Sequence, residues 1–584
     1  MPPVEITFAW PTSLNEIPES LIKLHHQVEL YILINYYASN DLLWGSIFLI
    51  RDLTFIYIVY SYFTRILRRV RGYGPVGSLK RLYTKTSVAI SSRVMSLPFI
   101  RNKIDKELNS TIKMIERELM KNSDDLQQFK ELPLHGLSHD DVSSELVKLQ
   151  DLKHSDWTNG RVSGAVYHGG DTLLKLQLEA YHQYSVANQL HPDVFPGVRK
   201  MEAEVVAMVL EIFNAPDGAC GSTTSGGTES LLLTGLAARE YGRKYKGIVK
   251  PEVIAPVTIH AGIEKACYYF GMKLHKVDLD PKTFQVNLSK VRKLINKNTV
   301  LLCGSAPNYP HGIIDDIEGL SKLAVKYKIP LHVDACLGSF IVSFLESSKV
   351  HGDKKLPLFD FRLPGVTSIS CDTHKYGFAP KGSSIIMYRS PKLRECQYYI
   401  SSDWTGGMYG SPTLAGSRPG ALMVGCWATL VNIGKDGYRQ SCYDIVLTML
   451  KVKKAIEKDS TLSEYLEIIG NPIGSVVSFK VKTSKKKELS IYELGDLLTK
   501  KGWHFATLQN PAALHFAFTR LTTPVVDELI DDLVGCTKEA IELTKKTGKK
   551  QSDTAALYGI AGSVHTAGLA DKIIVAFLDT LYKT

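Results

Sequence analysis

Four short stretches of this chain carry residue types that could serve one piece of chemistry. The first is Ser222-Thr-Thr-Ser-Gly-Gly-Thr-Glu-Ser230. Gly226 and Gly227 let a backbone approach an anion closely. Thr228 adds a hydroxyl and a cap where an apolar helix pattern begins, so free N–H groups and the helix dipole would meet a phosphate. The stretch has neither the G-x-G-x-x-G nor the G-x-x-x-x-G-K-S/T spacing, which disfavours a dinucleotide or a nucleoside triphosphate. The second is Asp334, closing Ile-Pro-Leu-His-Val-Asp; a carboxylate at the tip of a buried strand is costly without a cationic partner. The third is Ser370-Cys-Asp-Thr-His-Lys-Tyr-Gly377. Lys375 follows the apolar run Val366–Ser370 with His374 beside it, and a desolvated lysine is a nucleophile for a carbonyl compound. The fourth is His260 in Thr258-Ile-His-Ala-Gly262, where a strand pattern gives way to a helix. Each has an ordinary reading alone: a turn, a capping carboxylate, a surface lysine, a satisfied histidine.

The elements that must position these residues alternate. Helix patterns at Arg199–Phe213, Thr228–Tyr241 and Ile317–Tyr327 are interleaved with β-rich runs at Val253–Val257, Thr299–Gly304, Pro330–Val333, Thr367–Ser370 and Ser384–Tyr388. Strands alternating with helices predict an α/β layer structure with a mostly parallel sheet and helices on both faces. Ligands in such sheets bind beyond the carboxyl ends of the strands, where all four stretches fall. After Gly425 the pattern changes to a long helix and mixed short elements, including Val476–Val481 and Leu514–Thr519. That part reads as a smaller α+β domain.

The order of phosphate-cradling loop, strand-end His, strand-end Asp and strand-end Lys resembles fold-type I pyridoxal-phosphate enzymes, in the group II decarboxylase branch. Further stretches narrow the likeness. They are Val162-Ser-Gly-Ala-Val-Tyr-His168, Asn188-Gln-Leu-His-Pro-Asp-Val-Phe-Pro196, Ser305-Ala-Pro-Asn-Tyr-Pro-His-Gly312, Cys371-Asp-Thr-His-Lys-Tyr-Gly-Phe-Ala-Pro-Lys-Gly382, Trp404-Thr-Gly-Gly407 and Ser411-Pro-Thr-Leu-Ala-Gly-Ser-Arg-Pro-Gly420. From about residue 40 onward the chain resembles the sphingosine-1-phosphate lyase family, fungal type.

That resemblance implies the fold-type I transferase fold, pyridoxal 5'-phosphate as cofactor, and a phosphorylated long-chain sphingoid base as substrate. Cleavage at C2–C3 would give phosphoethanolamine and a long-chain aldehyde, a step of sphingolipid degradation. It implies that Lys375 holds the cofactor and Asp334 keeps its ring nitrogen protonated. His260 would cover the ring, while Gly226, Gly227, Thr228 and His374 would hold the cofactor phosphate. Tyr167, His191 and Lys381 would take the substrate phosphate, with Tyr167 and His191 arriving from the other subunit of a homodimer. For the C3 hydroxyl proton, Lys375, a phosphate oxygen, Tyr167 and ordered water stay open. An amino-acid decarboxylase would share the cofactor apparatus, but the membrane anchor and the stretches around Tyr167 and His191 argue against it. A membrane-bound scaffold without catalysis would be expected to lack Lys375 or Asp334.

Composition fits this picture. Of 584 residues, 44% are hydrophobic and 22% charged, so a folded chain of several units is expected. The net charge of +11 is scattered in short clusters such as Lys545-Lys546 and Lys549-Lys550, which reads as solvated surface and gives no sign of nucleic-acid binding. Nine cysteines, an odd number with no CxxC pair, fit reduced thiols rather than disulfides or a metal site.

The chain opens without the basic start of a cleavable leader. Its apolar stretch comes later, at Leu42–Leu67, long enough to span a bilayer with tilt, with an interfacial or buried helix as the other reading. Arg51-Asp52 interrupts it; a central charge costs about 3 kcal/mol, and neighbouring side chains on a helix point apart, so the two are not expected to pair. Arg65, Arg68, Arg69, Arg71, Lys80 and Arg81 follow, whereas Lys23 is the only basic residue of these types before Leu42. The positive-inside rule then puts the body in the cytosol. The expected organisation is a luminal segment 1–41, an anchor 42–67 in the endoplasmic reticulum membrane and a helical extension 68–194. A large cofactor-binding domain 195–430 and a small domain 431–584 follow. Amphipathic helix is expected at Lys103–Ser123, a polar break at Asn122–Asp125 and an exposed loop at Thr547–Ser552.

Overall fold

The computed structural model describes residues 26–31, 42–95, 126–152, 154–547 and 567–583, with scattered positions between 97 and 117. The expected break at Asn122–Asp125 and all but the first residue of the expected loop lie outside the described residues, as does much of Lys103–Ser123. The chain divides into two units, Met1–Lys80 and Arg81–Thr584.

The first unit is dominated by helix α1, Leu42–Met95, which continues past the unit boundary. It is broken at Gly74 (φ 73°, ψ 164°), just before Pro75. Proline removes a helical donor and disfavours helical geometry in the residue before it. The helix is long and apolar enough to cross a membrane, and Ile47, Phe48, Ile50, Phe55, Ile58 and Tyr62 point outward. One expectation is corrected here. Arg51 Nε donates to Asp52 Oδ1 at 2.7 Å, because the flexible arginine stem carries its guanidinium around the helix even though the Cβ directions diverge. The same guanidinium lies 5.1 Å from the Phe48 ring centroid.

The second unit is built on a seven-stranded sheet. Its strands are β1 Cys220–Thr224, β2 Glu252–Pro256, β3 Lys273–Val277, β4 Thr299–Ser305, β5 Leu331–Asp334, β6 Val366–Cys371 and β7 Ser384–Tyr388, in the spatial order β1-β7-β6-β5-β4-β2-β3. All neighbours pair in parallel except β7, which runs against both β1 and β6. Every residue of β2, β4, β5 and β7 is buried, as expected for a sheet covered on both faces. Helices α2 Asp171–Tyr184 and α3 Pro196–Ile212 precede the sheet; α4 Gly227–Lys246, α5 Ala261–Tyr269 and α6 Ile317–Tyr327 lie between its strands.

Two short strands, β8 Tyr399–Ser401 and β9 Tyr409–Ser411, form a ribbon, and the long helix α7, Gly420–Lys458, follows it. Helix α7 breaks at Gly434 (φ 61°, ψ 177°) and leads to a four-stranded antiparallel sheet. The strands of that sheet are β10 Leu466–Ile468, β11 Val476–Val481, β12 Ala506–Leu508 and β13 Ala513–Ala517. This is the fold-type I arrangement, a large mostly parallel sheet with a smaller α+β part. All nine cysteines are free and eight are buried.

Candidate active site

The glycine loop leaves β1 and enters α4 at Gly227. Glu229 closes this turn: its Oε2 accepts from both the backbone N and the Oγ of Ser225, each at 2.7 Å. A chain of hydroxyls, Thr224 to Ser230 (2.7 Å) and Ser230 to Ser384 (3.0 Å), ties the loop to β7. Gly227 is glycine for want of room. A Cβ there would lie 2.8 and 2.9 Å from the carboxylate oxygens of Asp372 and 2.9 Å from Cys336 Sγ. A Cβ on Gly226 would meet His374 Cε1 at 3.7 Å. Thr228, the second residue of α4, is exposed at the helix start.

Strand β6 delivers Lys375. Beyond Cys371 the chain turns back on itself: Lys375 N donates to Asp372 O (3.2 Å), Phe378 N to Lys375 O (3.0 Å), and Ser339 Oγ to Asp372 O (2.6 Å). This turn places Lys375 Nζ 2.7 Å from Asp372 Oδ2. Burial alone would push the Asp372 carboxyl up, but the Lys375 ammonium, His374 and hydrogen bonds outweigh it and hold it below its ordinary value. Burial likewise pulls Lys375 down, yet Asp372, with smaller help from Cys336 and Tyr167, leaves its pKa raised. The pair is therefore ammonium and carboxylate. His374 Nε2 is 3.8 Å from Asp372 Oδ2, and burial lowers its pKa against the opposing pull of Asp372.

Strand β5 delivers Asp334, level with Ser370 of β6 and Ser305 of β4. Its Oδ1 accepts from Cys336 N at 3.1 Å and, at the limit of a hydrogen bond, from Ser370 Oγ at 3.5 Å. Among the described residues no ammonium, guanidinium or imidazole forms an ion pair with it. His260 caps α5 from the end of β2: its Nδ1 accepts from Gly262 N at 3.1 Å, which leaves the proton on Nε2, and the ring is exposed.

Tyr167 is buried, edge-on to Tyr376 with ring centroids 4.8 Å apart, and Lys381 Nζ lies 4.7 Å from its ring centroid. Burial pushes its phenol up to about 12, with Lys375 acting the other way and Asp372 and Tyr309 adding to the rise. Tyr167 thus stands beside Lys375 in the same chain, which corrects the expectation that it arrives from a partner. His191 is exposed on the turn between α2 and α3, its N donating to Asn188 O at 3.2 Å. No contact joins it to Lys375, nor His260 to Lys375, among the described residues. An 80 Å³ cavity lined by Gln189, Ser225, Glu229, Gly382 and Arg418 does bring the turn bearing His191 alongside the glycine loop and the segment after Lys381.

Two further residues of the quoted motifs stand at the site without a role read from the sequence. Asp372 is one, and its only sequence signal is a carboxylate three residues before the lysine. Tyr309 is the other: it stacks on His515 of the small sheet at 4.6 Å and contributes to the raised pKa of Tyr167.

Residues 183–482 match the family model described as the pyridoxal-dependent decarboxylase conserved domain. The chain is 56% identical over 557 residues to a Saccharomyces cerevisiae sphingosine-1-phosphate lyase, covering 95% of this chain and 92% of that protein. The chain belongs to the sphingosine-1-phosphate lyase family. A solved sphingosine-1-phosphate lyase from Burkholderia pseudomallei superposes with a TM-score of 0.70 at 34% identity, over 79% of this chain and 99% of the other. Glutamate decarboxylase of Lactobacillus brevis superposes with a TM-score of 0.60 at 20% identity, over 73% and 98%, and shares the fold.

The site fits the pyridoxal phosphate that the pyridoxal-dependent decarboxylase domain model implies. Gly226 and Gly227 keep the loop beside Asp372 and His374 free of side chains, His374 Nδ1 is buried without a hydrogen-bond partner, and Asp334 is a buried carboxylate lacking a cation. These features suit a phosphate and a protonated ring nitrogen at opposite ends of one flat cofactor.

Proposed function

We propose that the chain is a pyridoxal-phosphate-dependent carbon–carbon lyase that cleaves phosphorylated long-chain sphingoid bases at C2–C3, giving phosphoethanolamine and a long-chain aldehyde. The observation that carries this reading is Lys375 standing at the mouth of the glycine cradle, beside Tyr167 and Lys381, in a chain that is 56% identical to a lyase over 95% of its length.

Lys375 holds the cofactor covalently between turnovers. Asp334 supplies the charge that keeps the ring nitrogen protonated, and Gly226, Gly227, Thr228 and His374 receive the cofactor phosphate. His260, its ring fixed by Gly262 N, covers the ring face. When bound, pyridoxal phosphate supplies an electron sink for the pair left on C2 as the bond to C3 breaks. Tyr167 keeps its phenolic proton through neutral pH, so it donates a hydrogen bond to the substrate phosphate and does not act as a base. Lys381 adds a cation there, and His191 completes the set from a partner subunit of a homodimer. Helix α1 anchors the protein once in the endoplasmic reticulum membrane through 42–67, with 1–41 luminal and the large (195–430) and small (431–584) domains cytosolic.

The test is incubation of the purified full chain and cofactor with a phosphorylated sphingoid base. A fatty aldehyde and phosphoethanolamine in equal amounts are expected. Carbon dioxide from an α-amino acid, with no aldehyde from the sphingoid base, would instead make it a decarboxylase.

A further inference from the structure

Of the two buried strand-end carboxylates, Asp334 has a partner assigned by the family's chemistry and Asp372 has none. Asp372 is 2% exposed in its side chain, and Oδ2 lies 2.7 Å from Lys375 Nζ. Oδ1 is buried with no hydrogen-bond partner and faces Gly227, whose absent side chain leaves it room. A buried carboxylate with one oxygen unsatisfied is costly, and the ion pair to Lys375 is its principal compensation.

We infer that Asp372 is a positioning residue that holds the side-chain amine of Lys375, whenever that amine is not joined to cofactor, as an ammonium ion directed at the glycine cradle. The groups facing this amine are Asp372 and His374 from its own turn, Lys381 from the segment after it, Cys336 from the turn after β5, and Tyr167 from the segment before α2. Cys336 is a buried thiol raised well above its ordinary value, Tyr167 is raised to about 12, and His374 is pulled down by burial. Asp372 is the only carboxylate among them. The released lysine is then a proton donor and not a base, which suits it to return a proton to C2 and removes it as acceptor of the C3 hydroxyl proton.

The same pair brakes cofactor loading. Joining Nζ to an aldehyde carbon expels one water and requires the ammonium first to give a proton to solvent. Loss of the carboxylate should therefore speed loading at neutral pH while it slows turnover, and a merely structural residue would slow both.

The inference rests on the proposed function only in taking Lys375 as the cofactor lysine, and the test separates the two. The full chain in detergent, stripped of cofactor with hydroxylamine, is pulse-labelled with acetic anhydride across a pH series, and acetylation of Lys375 is read by mass spectrometry. Asp372→Asn should raise Lys375 labelling at neutral pH by about tenfold or more, since an adjacent opposite charge favours the charged amine by at least that factor. Asp372→Glu should restore slow labelling. Gly227→Ala, whose Cβ would displace the Asp372 carboxylate, should fall between. Reloading with pyridoxal phosphate, followed by its visible absorbance, should keep the same order. Equal Lys375 labelling in the wild-type chain and Asp372→Asn, with both folded by near-ultraviolet circular dichroism, would overturn the inference. The labelling result stands whether or not Lys375 binds cofactor, so a failure of the cofactor assignment would show separately, in Lys375→Ala.

Discussion

The ends of β5 and β6 lie side by side and each presents a buried carboxylate, yet the two are furnished differently. Asp334 is held by a backbone N–H and a distant hydroxyl, whereas Asp372 has its own ammonium 2.7 Å away. A buried charge is stable only when matched. The β6 end brings its match in the turn that follows, and the β5 end is matched only when a cation comes from outside the chain. A site with one internally paired and one waiting carboxylate is therefore polarised: Asp334 at the end of β5 would hold a protonated ring nitrogen, and Lys375 beyond β6 would receive the aldehyde.

The comparison breaks first at Lys375. Lys375→Ala should abolish turnover and the visible absorbance of bound cofactor, and with them any adduct fixed by borohydride. A reducible adduct surviving in the folded variant would move the cofactor lysine elsewhere. Asp334→Ala comes next, with a loss on the order of a thousandfold in kcat, about 4 kcal/mol of barrier, and weaker retention of cofactor on dilution. Turnover near wild type would show that the β5 carboxylate is only a cap for the Cys336 backbone.

How much of this was legible beforehand differs between the two ends. Asp334 closes an apolar strand run, and Lys375 follows another, so period and position exposed both; the strands at Thr299–Ser305 and Ser384–Tyr388 fall where β-rich runs predict them. Strand β1, Cys-Gly-Ser-Thr-Thr, was not legible because it has no large apolar residue and Gly221 and Ser222 break the pattern before its two threonines. It is a strand through its antiparallel register with β7, Cys220 opposite Tyr388. The role of Asp372 was hidden for a similar reason. Its residue type is plain in the motif, but only the turn after β6 folds Nζ back onto it. Residue spacing also misjudged Arg51 and Asp52, since it describes Cβ directions and not the reach of a long stem.

Tyr167 sharpens the β6 side. Its hydroxyl is a donor through neutral pH, so Tyr167→Phe should remove one hydrogen bond to a charged phosphate, about 1.5–3 kcal/mol. That corresponds to roughly a ten- to hundredfold drop in kcat/KM, mostly through KM, with the neutral part of the pH profile unchanged in shape. Because Tyr167 packs on Tyr376 and Lys381 of its own chain, co-expression of Tyr167→Phe with Lys375→Ala should yield no fully wild-type site in mixed dimers. Each mixed dimer would hold one site lacking the hydroxyl and one lacking the lysine. Recovery of sites with wild-type KM would return Tyr167 to the partner subunit.

The smallest effect is expected far from both strand ends. Asp334, Asp372, Lys375, Tyr167 and the glycine loop all lie in the unit Arg81–Thr584, and the apolar stretch Leu42–Leu67 lies in Met1–Lys80. Tyr376 OH bonds Phe518 O and Tyr438 OH bonds Gly377 O, so the turn bearing Lys375 is braced from the small sheet and from α7. None of these braces comes from the first unit. A chain beginning at Arg81 should leave detergent-free lysate in the soluble fraction and bind cofactor with the full-length absorbance. On substrate dispersed in detergent it should turn over within about twofold of the full chain, a difference of under 0.5 kcal/mol. On substrate held in vesicles the full chain should be the faster, since anchoring raises the local concentration of lipid. A folded, cofactor-loaded but inactive truncated chain would mean that residues before Arg81 complete the site, and the polarised pair of strand ends would then not suffice.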